Sequence, residues 1–274
     1  MSRLTWDRFG YFRSGKAPQT RQADFSTGFT LRGGWQLGLS LSVESFGYPA
    51  QLYANYWIER VRPGAGGAPP VTDTIPFTGQ ARIPNLDLGF NFQTPSLQNF
   101  SFSAFLIANH DENFYEWAPA RIFIGTADLA WRPTDHFRAE LVYDHNQIIR
   151  RDGGSTVALI RVPQLRLEYQ FARPLFVRLI GEYTSSEVDA LRDDSRTGGA
   201  ILVRDPASGT FTRTARTVTN GLRMDWLVSY RPTPGTVVFV GYGSSLDDGA
   251  PFAFRGLNRT TDGFFVKLSY LFRA

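Results

Sequence analysis

Asp262-Gly263-Phe264-Phe265-Val266-Lys267-Leu268-Ser269-Tyr270-Leu271-Phe272-Arg273-Ala274 closes the chain, and its reading decides the fold. In an extended strand, successive side chains point to opposite faces. Phe264, Val266, Leu268, Tyr270 and Phe272 therefore share one face, while Lys267, Ser269 and Arg273 share the other. Such a strand suits two settings. In a soluble β-sandwich the apolar face meets a second sheet. In a membrane barrel it meets lipid.

Working back from the terminus, the same period-two pattern recurs and predicts about twelve strands. They lie near 23–32, 34–46, 50–61, 83–93, 98–109, 120–131, 136–147, 159–171, 174–186, 221–231 and 236–245, followed by the terminal segment. The segment at 34–46 is the clearest, with Trp35, Leu37, Leu39, Leu41 and Val43 opposite Gln36, Gly38, Ser40, Ser42 and Glu44. The segment near 50–61 is read through Tyr53, Tyr56 and Trp57.

The connections alternate in length. Short turns are expected at 47–50, 94–97, 132–135, 172–174 and 232–235. Longer polar loops are expected near 62–82, 110–119, 148–158, 187–220 and 246–261. Outer-membrane barrels join strands by short periplasmic turns and longer extracellular loops, whereas a Greek-key sandwich has no reason to alternate so regularly. With a periplasmic C-terminus every short turn falls on the periplasmic side, and only Arg32-Gly33-Gly34 breaks the pattern. Aromatics gather at strand ends, at Trp35, Phe92, Trp131, Phe137, Tyr169, Phe171, Tyr230, Tyr270 and Phe272. Rings at the two headgroup levels form the girdles of a barrel.

Composition agrees. Aromatic residues make up 15% of the 274, with 23 Phe and 11 Tyr, yet mean hydropathy is only −0.22. No window approaches the roughly 18 apolar residues of a membrane helix. Cysteine is absent, which removes disulfide scaffolds and thiolate zinc sites. The net charge is +4, and the 29 basic residues are spread along the chain rather than clustered as in a nucleic-acid binder. The fold class expected is all-β: a transmembrane antiparallel up-and-down β-barrel of about 12 strands, or part of a larger barrel, over residues 23–274. Residues 1–22 are expected to be a tail or, through Leu4–Phe12, an additional strand. Met1–Gly10 carries no export signal, so the native polypeptide is expected to extend further at its N-terminus.

The face opposite the lipid carries both signs of charge. Arg138, Glu140, Arg166, Glu168, Arg178, Glu182, Arg223, Asp225 and Lys267 are the lumen-facing candidates, with Glu44, Asp87, Asp128, Asp144 and Arg273 on the same face. Such residues either pair and stiffen the barrel or line a water-filled pore for polar solutes. Their near-balance argues against a strongly selective ion filter.

No constellation points to catalysis. His145 beside Asp144 and Asn146, with Ser155 in the next loop, is the nearest approach to a hydrolase site, but a lone His at a strand end is more often an interfacial side chain. His110-Asp111-Glu112 with Glu116, and Asp189 with Asp193 and Asp194, offer loop carboxylates for Ca²⁺ but lack EF-hand spacing, and read as solvated charges. No catalytic residue, metal or cofactor is assigned. The loop at 187–220 is too long for a mere connector. With Tyr115, Trp117, Asp193 and Asp194 it forms the extracellular candidate for a ligand, expected to be a saccharide because rings stack on sugar faces. The same loop has the alternative of folding inward over the lumen.

Several stretches carry a family resemblance: Asp189-Ala190-Leu191-Arg192-Asp193-Asp194, Asp225-Trp226-Leu227-Val228-Ser229-Tyr230, Pro232-Thr233-Pro234-Gly235-Thr236, Gly241-Tyr242-Gly243 and Thr261–Arg273. Tyr53-Ala54-Asn55-Tyr56 and Pro76-Phe77-Thr78-Gly79 add to it in the middle of the chain. Together they resemble the C-terminal β-barrel of bacterial outer-membrane proteins that carry an N-terminal family-nine-like carbohydrate-binding domain. The resemblance spans most of the chain and is sharpest after residue 176. It implies a Gram-negative outer-membrane location and a fold, but no residue roles. The expected partners are outer-membrane lipid, the barrel-insertion machinery and a saccharide. The functional expectation is a porin-like channel or saccharide-handling barrel, with a non-conducting anchor for a sugar-binding domain as the alternative.

Overall fold

The structure is a computed structural model that describes residues 2–12, 18–47, 50–194 and 196–271, with the backbone alone for 2–12 and 18–19. Phe272, Arg273 and Ala274, expected to continue the last strand, lie outside the described residues. Strands β1 (Ser2–Phe12), β2 (Pro18–Thr30) and β3 (Gln36–Phe46) form an antiparallel meander. The chain then leaves the sheet over 47–82 and forms β4 (Tyr56–Arg62) and β5 (Val71–Pro76). It returns as β6 (Ile83–Gln93), which pairs directly with β3. The meander continues through β7 (Phe100–Asn113), β8 (Ala118–Thr134), β9 (Phe137–Arg150), β10 (Thr156–Ala172) and β11 (Leu175–Val188). A second departure over 189–216 carries β12 (Ile201–Arg204) and β13 (Phe211–Arg213). The strands β14 (Thr217–Thr233), β15 (Thr236–Asp248) and β16 (Asn258–Tyr270) complete the order.

The result is all-β and antiparallel: one 12-stranded sheet, and a 4-stranded sheet ordered β13-β12-β4-β5. The members of the large sheet differ from those expected. The segment near 50–61 is not among them. Its start is a 3₁₀ turn at Ala50–Tyr53, and β4 buries Ile58 in the small sheet. In its place Ser2–Phe12 pairs with β2, and the expected boundary at 22/23 falls inside a strand. A closed barrel was expected; among the described residues no pairing joins β1 to β16.

Removing one strand near residue 50 changes the side on which everything before it falls. The links at 31–35, 94–99, 135–136, 173–174 and 234–235 now share one end of the sheet. The Gly33-Gly34 turn therefore joins the short-turn end rather than breaking the pattern, and both glycines take positive φ, 89° each, as a tight reversal requires. The departures at 47–82 and 189–216 share the opposite end with 114–117, 151–155 and 249–257. The expected short turn at 47–50 thus belongs to a long excursion. Conversely, the expected loops at 110–119 and 148–158 are mostly strand, because β7, β8, β9 and β10 run 14 to 17 residues.

Direct cross-strand neighbours point the same way, so the register assigns two faces. One is apolar: Leu39, Leu88, Leu106, Leu129, Leu141, Leu165, Trp226, Val240, Val266 and their neighbours. The other carries the charges. Many of the large apolar side chains stand open, among them Leu88 at 55% and Leu268 at 68% exposure. The small sheet does not cover them. It packs on the polar face at the long-link end, where Phe46 and Ile83 meet Tyr53, Ile58, Phe77, Leu191 and Ile201.

Candidate functional site

From its short-turn end to its middle, the polar face is a lattice of alternating charge. Arg138 lies directly across from Glu168, which lies across from Arg178; Glu140 faces Arg166, and Glu182 faces Arg223. Side chains two apart in one strand close the lattice, with Arg138–Glu140 at 3.1 Å, Arg166–Glu168 at 2.7 Å and Arg223–Asp225 at 3.0 Å. Glu182 accepts Gln164 Nε2 at 2.8 Å. Lys267 sits on the same face of β16, across from Phe239. Each pair is partly solvated and worth on the order of 0–1 kcal/mol. Their collective effect is to cancel charge along the face.

The long-link end is clamped. Arg150, at the end of β9, donates to Glu116 in the β7–β8 hairpin, to Asp189 Oδ2 at 2.7 Å and to the Ala190 carbonyl at 2.9 Å. Glu116 also accepts the Arg192 backbone N–H at 2.9 Å and Asn113 Nδ2 at 3.0 Å. Burial pushes the Glu116 carboxyl up from its ordinary value, while Arg150 pulls it down. Burial also raises the Asp189 carboxyl, but the bonds from Arg150 and the Ala190 N–H, with the charges of Arg150 and Arg192, together outweigh this and hold it below the usual carboxylate range. The clamp joins the hairpin to the 189–216 excursion, and β12 pairs with β4 to bring in the 47–82 excursion.

Clamping changes the expected loop ligands. Trp117 packs on Tyr53 and Phe114, with ring centroids 6.1 and 6.0 Å apart, so it is half-buried against the small-sheet core rather than an open sugar platform. Asp193 is 1% exposed and bonds Thr197 Oγ1 at 2.9 Å, and Asp194 accepts the Asp152 and Gly153 backbone N–H groups at 3.2 and 3.1 Å. Neither is the solvated loop charge expected. Tyr115 remains at the hairpin tip, 37% exposed, with its carbonyl taking the Tyr56 hydroxyl at 3.3 Å.

The hydrolase alternative does not assemble. His145 is on the apolar face, 3.0 Å from the Tyr143 hydroxyl and against Phe123. Asp144 faces the other way, onto Thr126, and Ser155 accepts from Arg150 and Arg192. Asp111 and Glu112 belong to β7, not to a loop, and Asp111 meets Glu44 and Asp87 on the polar face.

No family model and no curated protein matches the chain. Among solved structures it is similar to the NanC porin, at 9% identity over 99% of both chains with a TM-score of 0.32. It is similar to a mutant of the ferric enterobactin receptor PfeA from Pseudomonas aeruginosa, at 15% identity over 97% of this chain and 40% of that chain, TM-score 0.44. The toluene transporter TodX from Pseudomonas putida is a third, at 13% identity over 99% of this chain and 78% of that one, TM-score 0.31. At these scores the likeness carries no argument about what the chain does.

Proposed function

We propose that the chain is a transmembrane β-barrel of the bacterial outer membrane whose polar face lines a lumen. The carrying observation is the apolar face of the large sheet, which stands exposed while the small sheet packs on the polar side. In water a contiguous apolar surface beyond a few hundred Å² is rare; in lipid it is the surface that binds. A spanning strand needs about 9–11 residues, and the strands of the large sheet run from 11 to 17. A sheet in lipid tolerates no open edge, so the reading requires closure, by β1 with β16 or by further strands. Trp35, Phe92, Trp131, Phe137, Tyr169 and Tyr230 gather at the short-turn end, as a girdle at one headgroup level would.

Within this barrel the balanced charge lattice favours neutral polar solutes, saccharides among them, over a single sign of ion. A second reading has its own support. Paired charges fill the face, and the small sheet covers one end, as suits a non-conducting anchor for a sugar-binding domain.

Refolding in detergent, followed by heat-modifiable gel migration and planar-bilayer conductance, tests both. Discrete conductance steps, blocked by a saccharide, support the channel. A heat-modifiable chain without conductance supports the anchor. Absence of any heat-modifiable species would remove the membrane reading for this chain.

A further inference from the structure

Near the long-link end, two rows of side chains cross β3, β6 and β7 on the polar face. Glu44 and Asn85 are direct neighbours in one row. Ser42, Asp87 and Asn109 form the next, and Asp111 follows Asn109 along β7. Glu44, Asp87 and Asp111 each bring a ligand oxygen within 4.8 Å of the other two. Glu112 adds a fourth carboxylate. No Lys or Arg forms an ion pair with any of the four among the described residues.

The donors present are too few. Asn85 Nδ2 serves Glu44 Oε1 at 3.0 Å, Glu112 Oε2, and Asp111 Oδ1 at 2.7 Å, the last of which also accepts the Glu112 N–H at 2.7 Å. An amide nitrogen carries only two hydrogens. Asn109 Nδ2 donates to Asp111 Oδ2 at 3.1 Å. Both amides are buried, Asn85 to 4% and Asn109 to 9% exposure, and the oxygen of each has no partner. Asp87 Oδ1 has none either. A carboxamide can be turned to exchange its nitrogen and oxygen. In either orientation the group of side chains holds more acceptors than donors, and buried acceptors of that kind call for a bound water or cation.

We infer that these residues form a binding site for a hard divalent cation, Ca²⁺ by preference, with Glu44, Asp87 and Asp111 as carboxylate ligands and the amide oxygens of Asn85 and Asn109 completing the shell. The donor set is oxygen only, whereas zinc sites draw on nitrogen or sulfur. Calcium takes about six to eight oxygens at roughly 2.3–2.6 Å in irregular geometry, which suits side chains fixed by a sheet register; magnesium demands a near-ideal octahedron. The site has a mechanical consequence. β3 and β6 flank the 47–82 excursion, and β7 leads into the hairpin that carries Glu116, so the cation ties together the base on which the small sheet rests.

The test uses the full chain refolded in detergent, stripped with EGTA and titrated with Ca²⁺ by calorimetry, with thermal midpoints recorded in EGTA and in Ca²⁺. Wild type is expected to show saturable binding and a higher midpoint with Ca²⁺. Asp87→Asn and Glu44→Gln are each expected to weaken binding by about tenfold or more, since ligand charge sets calcium affinity. Asp135→Asn, in a turn at the opposite end, should leave it unchanged. In EGTA the two neutralised variants should be at least as stable as wild type, because each removes a like charge from the group. That reversal of order between EGTA and Ca²⁺ separates a cation site from a merely structural cluster. Two results would overturn the site: no saturable Ca²⁺ binding by folded wild type, or equal affinity in both variants. Stabilisation by acid but not by Ca²⁺ would also overturn it, and would assign the cluster to shared protons.

Discussion

Arg150 Nε lies 3.0 Å from both carboxylate oxygens of Glu116, and the two side chains are 1% and 0% exposed. A pair so placed contributes little net stability over an apolar one, but breaking it is expensive because one charge is left buried alone. Arg150→Ala is therefore expected to loosen the small sheet by about 3–5 kcal/mol, while Arg150→Met with Glu116→Leu should cost less, the remainder being the Asp189, Ala190, Arg192 and Asn113 groups left without their partners. Hydrogen exchange at the β4 and β12 amides reads the difference. Equal exchange in all three proteins would mean that the clamp does not hold the small sheet.

Asp189 makes the same docking pH-dependent. Its carboxyl is held below its ordinary value of 3.8, so its contribution to docking is present above that value. The contribution is lost as pH falls through the lower folded value, since the unfolded state then takes up the proton first. Asp189→Asn should flatten this acid limb and leave the neutral plateau lower. An unchanged limb in the variant would assign the acid response to another group.

The apolar face makes a prediction that separates lipid from water. Leu88 is 55% exposed and Leu141 42%. On a soluble surface a change to Arg at such positions falls within about ±0.5 kcal/mol. In a lipid-facing band it costs about 2–4 kcal/mol at the bilayer midplane. Urea titrations of Leu88→Arg and Leu141→Arg refolded in lipid vesicles, with the polar-face Glu140→Ala as reference, measure this directly. Arg variants as stable as the reference would place this face outside the hydrocarbon.

Strand existence was legible in the sequence because alternation is local. Leu86, Leu88, Phe90 and Phe92 announce β6 without any knowledge of its neighbours. Membership of a sheet is not local. Tyr53, Tyr56 and Trp57 read as a strand of the main wall, yet Ile58 pairs with Ile201, far along the chain. The period-two pattern cannot distinguish these cases, since a strand in either sheet alternates. The acidic site was hidden for the same reason. Glu44 and Asn85 are 41 positions apart, and only the departure of residues 47–82 from the sheet makes β3 and β6 neighbours. The part of the lattice from Arg138 to Arg178 was easier to read, because β9, β10 and β11 follow one another directly, through the links at 151–155 and 173–174. Trp117 misled because exposure follows from what the excursions cover, and their path is not written in hairpin periodicity.

The segment between β15 and β16, at the long-link end, offers a last test. Phe252 and Phe254 take φ of 54° and 50°, a conformation that costs bulky residues about 1–3 kcal/mol. Their rings recover it by packing on Tyr183, at centroid distances of 4.7 and 5.0 Å, and Arg161 lies 4.5 Å from the Phe252 ring. The Tyr183 hydroxyl accepts the Phe252 N–H at 2.8 Å and donates to Asp248 Oδ2 at 3.3 Å, and Asp248 in turn takes the Phe254 N–H at 3.1 Å. Tyr183, 3% exposed, thus holds the strap both by its ring and by its hydroxyl. Tyr183→Phe keeps the ring and is expected to cost about 0.5–1.5 kcal/mol locally, the net worth of a hydrogen bond to a half-buried N–H. Tyr183→Ala removes both and should free the strap, opening Arg255 to trypsin while the strands stay protected. Limited proteolysis in detergent gives the order wild type, Phe, Ala in rising cleavage rate. Equal rates for all three would show that the strap is held by the backbone of β15 and β16 rather than by Tyr183.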